Sequence, residues 1–437
     1  MRIIIANKYY FKTGGPEHYL FSLAEMLEKQ GHEVIPFSIA ATKNQSSPYE
    51  KYFVSSPIGP DKYDANLTEQ KIGLSDKVKM ARRAFYSGEA RTKLRQLIRD
   101  THPDIVYVLN FTSYLSPSII DGAHDEHIPI VIQLPSFDLM CAANVFLRDG
   151  QVCTECLHGK FHAIQHRCVG HSLTASIAKV SAMNYHDAIG IYKKVDAFVA
   201  PSKFMKGKMT EAGFPADRIH HIPLFVDVSR FGPRPANEPS GDYILYFGRI
   251  APEKGVGILV EAYALMGPSA PPLVLMGWTE PEEEKKLRAR IAELNLQNVH
   301  FIGPKHGDEM VKILQYARLI TVPSIWFENT PHTTYEAFGA GRPVVATNLG
   351  SLPEQVTHEV NGLLFEHQNP QDFARQMQRL IDNPEYGDSL GNNGLQLVHK
   401  EFSGQRHIER TLGLFNSLLG RSSVDDQTMK RSALPHH

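Results

Sequence analysis

Short apolar runs alternate with stretches of helical periodicity along nearly the whole chain, and this alternation most constrains its fold. Continuous apolar runs of four to six residues are typical of strands buried on both faces of a parallel sheet. The predicted strands are residues 2–6, 34–37, 104–109, 130–134, 197–200, 219–223, 243–247, 319–322 and 344–346. Strands alternating with helices predict an α/β, doubly wound architecture. Ligands of such folds bind beyond the carboxyl ends of the strands.

A proline- and glycine-rich run at residues 231–241 interrupts this alternation. Single cores stop growing at roughly 250–300 residues, so a chain of 437 residues predicts two domains joined by this linker. We expect an N-terminal domain over residues 1–230 and a C-terminal domain over residues 242–400. Residues 401–420 predict a further helix, and residues 421–437, with few apolar side chains, predict a disordered tail.

The overall charge and hydropathy exclude several classes of protein. A formal net charge of −1 argues against nucleic acid as the main partner, and 42% hydrophobic with 21% charged residues is typical of a soluble globular protein. Residues 1–6 are too short for the core of a signal peptide, and no apolar run reaches the length of a spanning helix. We therefore expect a cytoplasmic protein.

All four cysteines lie within a 28-residue window, residues 141–168, which we call the Cys-rich insert of the N-terminal domain. A disulfide framework suits neither this chain length nor a cytoplasmic compartment. The spacing C-x11-C-x2-C-x11-C is compatible with a structural zinc ion held by Cys141, Cys153, Cys156 and Cys168. Four nearby histidines offer substitute ligands: His158, His162, His166 and His171. Reduced thiols without a metal are the alternative.

A basic interval covers residues 69–100, where nine cations stand against four acids. The cations are Lys71, Lys77, Lys79, Arg82, Arg83, Arg91, Lys93, Arg95 and Arg99. A basic helical face of this kind can rest on anionic lipid, with Phe85 and Tyr86 at the interface. A solvated basic face is the alternative, so a peripheral membrane contact is one hypothesis for this interval.

Two loops that follow predicted strands carry residues suited to phosphate groups. Gly14 and Gly15 precede a helix and allow backbone to approach a phosphate, although a plain tight turn explains them equally well. Gly248 opens a second loop in which Arg249 and Lys254, five residues apart, can clamp a diphosphate. Surface pairs of either cation with Glu253 are the alternative.

Two carboxylates, Glu328 and Glu336, lie eight residues apart where a strand gives way to a short helix. The free N–H groups at the start of such a helix suit an anionic or hydroxyl-rich ligand. The intervening candidate ligand-binding residues are Asn329, Thr330, Pro331, His332 and Thr333. A capping box from Thr333 to Glu336 would instead give Glu336 a purely structural role.

These motifs occur in one order that resembles the retaining, nucleotide-sugar-dependent glycosyltransferases of family 4. The resemblance covers about residues 1–419 and implies the GT-B architecture, with two Rossmann-like domains facing across a cleft. The last helix commonly packs back on the first domain in that architecture. The matching segments are Gly14-Gly15, Ala200-Pro201-Ser202, Gly248-Arg249-x4-Lys254-Gly255, Glu328-x7-Glu336, and Gly341-x-Pro343 continuing through Gly350 to Glu354 and Asn361.

The resemblance also implies roles for these residues in catalysis and donor binding. Arg249 and Lys254 would bind the donor diphosphate, Glu328 the sugar hydroxyls and Glu336 the nucleotide ribose, while Gly15 would lie against the phosphates from the opposite domain. Fixed cations stabilise charge that develops on a leaving diphosphate. No Asp-x-Asp occurs in the chain, so we expect a hexosyltransferase that needs no cofactor or metal for catalysis.

Retention of configuration would follow from front-face attack, in which the leaving phosphate takes the acceptor proton. The implied acceptor is a glycan or glycolipid, as in polysaccharide biosynthesis. Pro135 stands where many family members carry a histidine, and Asp138 could assist the acceptor or cap its loop. An inactive sugar-nucleotide-binding scaffold and a nucleotide-sugar epimerase of the same architecture are alternative functions. The nucleotide, the sugar and the linkage stay open.

Overall fold

A computed structural model describes residues 1–61, 73–231 and 242–421 of the chain. The predicted tail beyond Arg421, almost all of the predicted linker, and Lys71 in the basic interval lie outside the described residues. All nine predicted strands are present within two residues of their expected ends. The α/β class predicted from their alternation with helices is therefore confirmed.

The first domain is built on a six-stranded parallel sheet. Its strands are β1 (Arg2–Ala6), β2 (Glu33–Phe37), β3 (Ile105–Val108), β4 (Ile130–Gln133), β5 (Leu147–Arg148), β6 (Gln151–Val152), β7 (Ala197–Ala200) and β8 (Ile219–His221). Its helices are α1 (Gly15–Lys29), α2 (Leu74–Phe85), α3 (Gly88–Thr101), α4 (Ser118–Asp125), α5 (Phe161–Gln165), α6 (Leu173–Ala188) and α7 (Lys203–Glu211). The sheet order is β2-β1-β3-β4-β7-β8, whereas β5 and β6 form a separate antiparallel hairpin within the Cys-rich insert.

The second domain repeats this plan. Its strands are β9 (Ile244–Phe247), β10 (Leu273–Met276), β11 (Val299–Phe301), β12 (Leu319–Val322), β13 (Val344–Thr347) and β14 (Gly362–Phe365), in the sheet order β11-β10-β9-β12-β13-β14. Its helices are α8 (Val256–Leu265), α9 (Pro281–Glu293), α10 (Gly307–Tyr316), α11 (His332–Gly339), α12 (Leu352–Gln355), α13 (Pro370–Asp382) and α14 (Pro384–Glu401). The central strands of both sheets are buried on both faces, as their unbroken apolar sequences require.

A final helix, α15 (Gly404–Leu418), returns to the first domain and packs against α1. The buried His407 Nδ1 lies 2.7 Å from the carbonyl oxygen of Pro223, and its Nε2 lies 2.8 Å from the Tyr19 hydroxyl. The Phe415 ring packs edge-on against Tyr107. The segments that leave and re-enter the first domain also meet, because the Val226 amide donates to the carbonyl oxygen of Phe402 at 2.9 Å.

Loops at the carboxyl ends of both parallel sheets meet in one interdomain cleft. A cavity of about 220 Å³ lies there, between loops that follow β4 and β7 of the first domain and the loop that follows β12 of the second. Its lining residues include Gly15, Leu134, Pro135, Phe137, Pro201, Trp326, Glu328, Asn329, Thr330 and His332. Among the helices of the described residues, none is both long and apolar enough to cross a membrane.

Candidate active site

Glu328 lines one wall of this cleft and forms a buried ion pair with Lys254, which lies outside the cavity lining. Glu328 follows β12 and is 5% exposed, and its Oε1 accepts hydrogen bonds from Lys254 Nζ at 2.7 Å and from Ser324 Oγ at 2.6 Å. Burial alone raises the pKa of Glu328, but the charge of Lys254 and these hydrogen bonds outweigh it and hold that pKa below its ordinary value. Glu328 is therefore an ionised carboxylate.

The geometry of Gly255 brings Lys254 to this carboxylate. Gly255 has φ +73°, in the left-handed region that favours glycine, and a Cβ there would lie 1.9 Å from the carbonyl oxygen of Pro323. This close approach presses the loop after β9 against the loop after β12. Lys254 Nζ also lies 4.8 Å from the centre of the Trp326 ring. The buried Trp326 indole N–H is directed at the Glu328 carboxylate and contributes to lowering its pKa, although it falls outside strict hydrogen-bond geometry.

Arg249 lies in the same loop as Lys254 but points elsewhere. Its half-exposed guanidinium pairs with Glu253, as the surface-pair alternative predicted. No corresponding pair between Lys254 and Glu253 is formed within the described residues, since Lys254 turns to Glu328. The backbone of the loop is anchored because the Tyr246 hydroxyl donates to the carbonyl oxygen of Arg249 at 2.6 Å. Arg249 is thus held close to the cleft by a weak, exposed contact.

The residues after Glu328 bridge the two domains. Asn329 Nδ2 donates to the carbonyl oxygen of Leu134 at 3.0 Å, and Thr330 Oγ1 donates to that of Pro201 at 3.1 Å. Both acceptors belong to the first domain. These two predicted ligand-binding side chains therefore hold the domains together in the described conformation.

The capping box between Thr333 and Glu336, the structural alternative for Glu336, is not formed. Helix α11 begins at His332 with Pro331 as its N-cap residue, and no side chain makes a capping hydrogen bond. Proline at the cap moves the helix start one residue ahead of Thr333, which places Glu336 in the helix interior. Thr333 instead lies beside Gly248, because a Cβ at Gly248 would lie 3.6 Å from Thr333 Cγ2.

Glu336 is a partly desolvated carboxyl group beside the cleft. Burial raises its pKa from 4.5 to about 7, against the opposing effect of Arg230, whose Nη1 lies 3.6 Å from its Oε1. His332, at the start of the same helix, has its pKa lowered to about 4 by burial and by the neighbouring His18. The helix thus brings the uncharged imidazole of His332 to the cavity lining, whereas Glu336, one turn further along, lies outside that lining.

The glycine pair predicted to approach phosphate lies on the opposite wall. Gly14 is the extended N-cap residue of α1, and Gly15 lines the cavity with Glu328. A Cβ built at Gly15 meets no atom of the described residues within 4 Å. Protein packing therefore does not require glycine there, and the space beside it is open to a ligand.

Several polar side chains that the structure places in hydrogen-bonded or buried positions were not assigned a role from the sequence. Ser351 Oγ donates to the carbonyl oxygen of Glu328 at 2.8 Å and fixes its backbone. In the first domain, Lys8 is buried and its pKa is lowered to about 7, chiefly by burial, while Glu17 accepts hydrogen bonds from Asn7 and Thr13. The polar pair Asn7-Lys8 directly after β1 was the signal available for this group. The four cysteines lie outside the cavity lining, in the Cys-rich insert.

Two domains whose strand ends face one cleft define the GT-B class of glycosyltransferases. The fold is similar to sucrose-phosphate synthase from Thermosynechococcus elongatus, with a TM-score of 0.68, 19% sequence identity, and coverage of 96% of this chain and 100% of that chain. It is also similar to the HepE protein of Anabaena in complex with UDP, with a TM-score of 0.62, 17% identity, and coverage of 96% and 99%. The predicted GT-B fold is confirmed.

Residues 13–230 match the family model described as Glycosyltransferase Family 4, and residues 233–397 match Glycosyl transferases group 1. The chain belongs to glycosyltransferase family 4, as the motifs predicted. It is 31% identical over 172 residues to an uncharacterized glycosyltransferase of Methanocaldococcus jannaschii, covering 39% of this chain and 47% of that protein. It is 30% identical over 194 residues to a D-inositol 3-phosphate glycosyltransferase of Jonesia denitrificans, covering 40% and 46%. The matches thus span about half the length of these curated relatives.

Replacing Lys254 by methionine should destabilise the protein by about 3–5 kcal/mol, because it leaves the buried Glu328 carboxylate without its partner. The double variant Lys254→Met with Glu328→Gln should recover most of this loss. Glu253→Gln, which breaks only the exposed pair with Arg249, should cost less than about 1 kcal/mol. Thermal and denaturant unfolding of the variants measures these differences. Equal stability of Lys254→Met and Glu253→Gln would contradict the buried ion pair.

Glu336 should make stability depend on pH. The pKa of Glu336 in the folded state is about 7, above the ordinary value of 4.5. Between these two pH values the folded state binds a proton that the unfolded state has lost. The contribution of Glu336 to the free energy of unfolding therefore falls as pH rises. The free energy of unfolding of Glu336→Gln, relative to that of the wild type, should therefore rise by up to about 3 kcal/mol between pH 4 and pH 8. Glu328→Gln should show the opposite trend, because the pKa of Glu328 is lowered. Unfolding curves over this pH range test both, and a pH-independent difference for Glu336→Gln would refute the shift.

Proposed function

We propose that this protein is a retaining hexosyltransferase that moves a sugar from a nucleoside diphosphate to a hydroxyl group of a glycan or lipid-linked acceptor. The observation that carries the proposal is the Lys254–Glu328 pair in a cleft whose opposite wall presents the open Gly15. The similar HepE structures contain UDP, UDP with glucose, or UDP-glucose. A donor of the same chemistry fits the cation, carboxylate and glycine gathered here.

Each side chain has a part in the proposed transfer. The ionised Glu328 accepts hydrogen bonds from hydroxyl groups of the donor sugar. These hydroxyl groups bind to the carboxylate oxygen that does not accept from Lys254. Lys254 and Arg249 stabilise the negative charge on the departing diphosphate. Glu336 accepts from the ribose hydroxyls once it is ionised, and the backbone at Gly15 allows the phosphates to come close. In this proposal Arg249 leaves its exposed pair with Glu253, and the two cations supply the charge that a divalent metal would otherwise provide.

The acceptor proton goes to the leaving phosphate in this mechanism. Asp138, the candidate helper in the first domain, accepts hydrogen bonds from Ser136 and, at 2.9 Å, from Thr112 Oγ1. Those contacts support the loop-cap role rather than that of a free base. Front-face attack with retention needs no carboxylate base in the first domain, so a loop-cap role for Asp138 is consistent with this proposal.

A catalytically inactive sugar-nucleotide-binding protein is the second candidate function. The observation that favours it is Pro135, which lines the cavity and has no group that can exchange a proton. Hydrolysis of the donor in the absence of acceptor separates the two candidates. A binder raises its melting temperature with donor and releases no sugar, whereas a transferase slowly releases sugar to water.

The acceptor side of the first domain carries an apolar surface that we propose rests on anionic lipid. Helix α6 exposes Leu173, Ile177 and Tyr185, which are four and eight residues apart and therefore lie on one side of the helix. The adjacent helix α2 exposes Val78. The exposed Lys77, Lys79 and Arg82 surround this patch on α2. An apolar stripe with a basic rim suits the headgroups and outer acyl chains of an anionic bilayer.

This surface corrects part of the expectation for the basic interval. Arg83 is directed inward and donates to Glu89 at 3.1 Å and to the Tyr114 carbonyl oxygen at 3.3 Å. Tyr86 donates to Asp121 at 2.7 Å. Arg83 and Tyr86 are therefore unsuited to a lipid interface, because their polar groups already have hydrogen-bond partners within the protein. Phe85 packs on Tyr185 and supports the patch from below.

Arg249→Ala should lower kcat/KM for the donor by a factor of about 10²–10³ through loss of one charge on the diphosphate. Its stability should change by less than about 1 kcal/mol, because only an exposed pair is lost. Transfer is measured with whichever of the UDP-, GDP- and ADP-sugars raises the melting temperature most. Glu328→Gln should abolish transfer, and EDTA should leave it unchanged provided that the cysteine site of the insert is intact.

Glu253→Gln is the matched control for Arg249→Ala, since it breaks the same pair and keeps the cation. It should transfer sugar at close to the wild-type rate. Full activity of Arg249→Ala would remove Arg249 from the proposed site, and full activity of Glu328→Gln would overturn the assignment of the cleft.

Binding to anionic vesicles should fall when this surface is altered. Arg82→Glu changes the charge by two, which at about 1 kcal/mol per charge weakens binding roughly thirtyfold. Ile177→Glu should weaken it through loss of apolar burial. Leu265→Glu, at an exposed leucine on the second domain, should have no effect. Co-sedimentation with vesicles measures all three, and equal binding by the wild type, Arg82→Glu and Ile177→Glu would exclude the surface.

A further inference from the structure

A chain of hydrogen-bonded side chains runs from helix α15 to the lining of the interdomain cavity. Its members, in spatial order, are His407 on α15, Tyr19 on α1, Tyr107 on β3 and Gln133 at the end of β4. Each of the four is at most 5% exposed. Tyr19 and Gln133 line the cavity, whereas Tyr107 and His407 lie behind them, outside that lining.

The direction of these hydrogen bonds follows from the imidazole of His407. Its Nδ1 lies 2.7 Å from the carbonyl oxygen of Pro223, and because a carbonyl can only accept, Nδ1 carries the proton. Burial lowers the pKa of His407 to about 4, so the ring is neutral and its Nε2 is an acceptor. The Tyr19 hydroxyl, 2.8 Å away, therefore donates its proton to His407.

Both tyrosines hold the side-chain amide of Gln133. The Tyr107 hydroxyl donates to Gln133 Oε1 at 2.5 Å. The oxygens of Tyr19 and Tyr107 lie 3.3 Å apart, but each proton is already directed elsewhere. Burial raises the pKa of Tyr19, and Gln133 opposes this rise, as an amide N–H directed at the phenol oxygen does. The carbonyl of Gln133 thus faces Tyr107, and its amino group faces Tyr19.

The amide of Gln133, held in this way, keeps hydrogen-bonding capacity for a ligand. An amide oxygen has two lone pairs and an amide nitrogen has two hydrogens. The two tyrosines use one of each, and Gln133 reaches the cavity. One donor and one acceptor therefore remain on a side chain whose orientation is fixed. A sugar hydroxyl group complements both, because it can donate and accept.

The rest of the cavity lining also favours a ligand that carries hydroxyl groups. Asn144 Oδ1 is buried in this lining and has no hydrogen-bond donor within the described ranges. A buried acceptor without a partner is unfavourable, and a bound hydroxyl group would satisfy it. The remaining lining is largely apolar and includes Leu109, Leu134, Phe137, Trp326 and Phe327. An apolar cavity with a few fixed polar groups is typical of a site that binds a small molecule in one orientation.

We propose that Gln133 binds a hydroxyl group of the donor sugar from the first-domain side of the cavity, whose second-domain side carries Glu328. Tyr107 is then a positioning residue, because it fixes the Gln133 amide without reaching the cavity. His407 acts at one further remove, since it takes the Tyr19 proton. Helix α15 thereby contributes to the sugar site from behind. This inference rests on the proposed function, because it requires a nucleoside-diphosphate sugar.

The test compares the affinity for a sugar nucleotide with the affinity for the matching nucleoside diphosphate, which lacks the sugar. The donor is whichever of the UDP-, GDP- and ADP-sugars raises the melting temperature of the wild type most, and titration calorimetry measures both affinities. Gln133→Met should weaken binding of the sugar nucleotide about three- to tenfold, through loss of roughly one hydrogen bond. It should leave binding of the nucleoside diphosphate unchanged. Tyr107→Phe should change the ratio of the two affinities in the same direction by a smaller factor.

Tyr263→Phe is the matched control, because it also removes a buried tyrosine hydroxyl. That hydroxyl donates to the carbonyl oxygen of Pro271 at 3.0 Å, at the edge of the second sheet opposite the cleft. The control should change neither affinity.

Two results with the variants would overturn the proposal. Equal weakening of both ligands by Gln133→Met and Tyr107→Phe would mean a purely structural role, and an unchanged ratio would mean that Gln133 does not contact the sugar. If the variants misfold, a crystal structure of the wild type with the sugar nucleotide decides, since a sugar without a hydroxyl group in hydrogen-bond distance of Gln133 refutes the contact. Absence of binding by every sugar nucleotide would refute the proposed function as well, whereas the other results remove the role of Gln133 alone.

Discussion

The Lys254–Glu328 ion pair is the interaction on which the rest of the cleft depends. Burying two charges costs several kcal/mol per ion, and the pair offsets this only with close contact and further hydrogen bonds. Both conditions are met here, through the 2.7 Å contact and the added donation from Ser324. The pair ties the loop after β9 to the loop after β12, and the backbone approach at Gly255 is what allows it. Specific geometry, rather than stability, is what such a pair contributes.

Contact between the domains combines aromatic packing of Phe327 on Phe204 with hydrogen bonds, in which Glu354 accepts from the backbone N–H groups of Lys203 and Phe204 and other side chains donate to backbone carbonyls. Asn329 and Thr330 reach the ends of β4 and β7, and Gln368 reaches the hairpin of the Cys-rich insert. Individual hydrogen bonds of this kind contribute only about 1 kcal/mol each. An interface made from a few of them can break and re-form, which suits a cleft that must admit a ligand. Helix α15, by contrast, is joined to the first domain through buried aromatic contacts.

Much of the fold could be predicted because buried parallel strands have an unmistakable apolar signature. The strands that went unpredicted are β5, β6, β10, β11 and β14. The apolar run of β10, Leu273–Met276, carried the signal and was missed. β5 and β6 have only two residues each, and β11, β14 and the helix α14 are defined by pairing and packing with distant elements. At the site, the order of the motifs and the family resemblance placed Lys254 and Glu328 in one cleft, but did not predict that they form an ion pair. Sequence could not show that Asn329 and Thr330 face the other domain, nor that α11 starts at His332 without the capping box. Those outcomes depend on tertiary neighbours.

The paired crossing between the domains has a mechanical consequence. The outgoing segment at Val226 and the returning segment at Phe402 are hydrogen-bonded side by side, so both passages of the chain lie on nearly one line. The two passages of the chain therefore connect the domains at one edge rather than at two separate places. The described cavity of about 220 Å³ is smaller than the roughly 300–1,000 Å³ of ligand pockets. A ligand larger than this cavity requires the domains to move apart, and a connection confined to one edge leaves the opposite side of the cleft without a covalent tie.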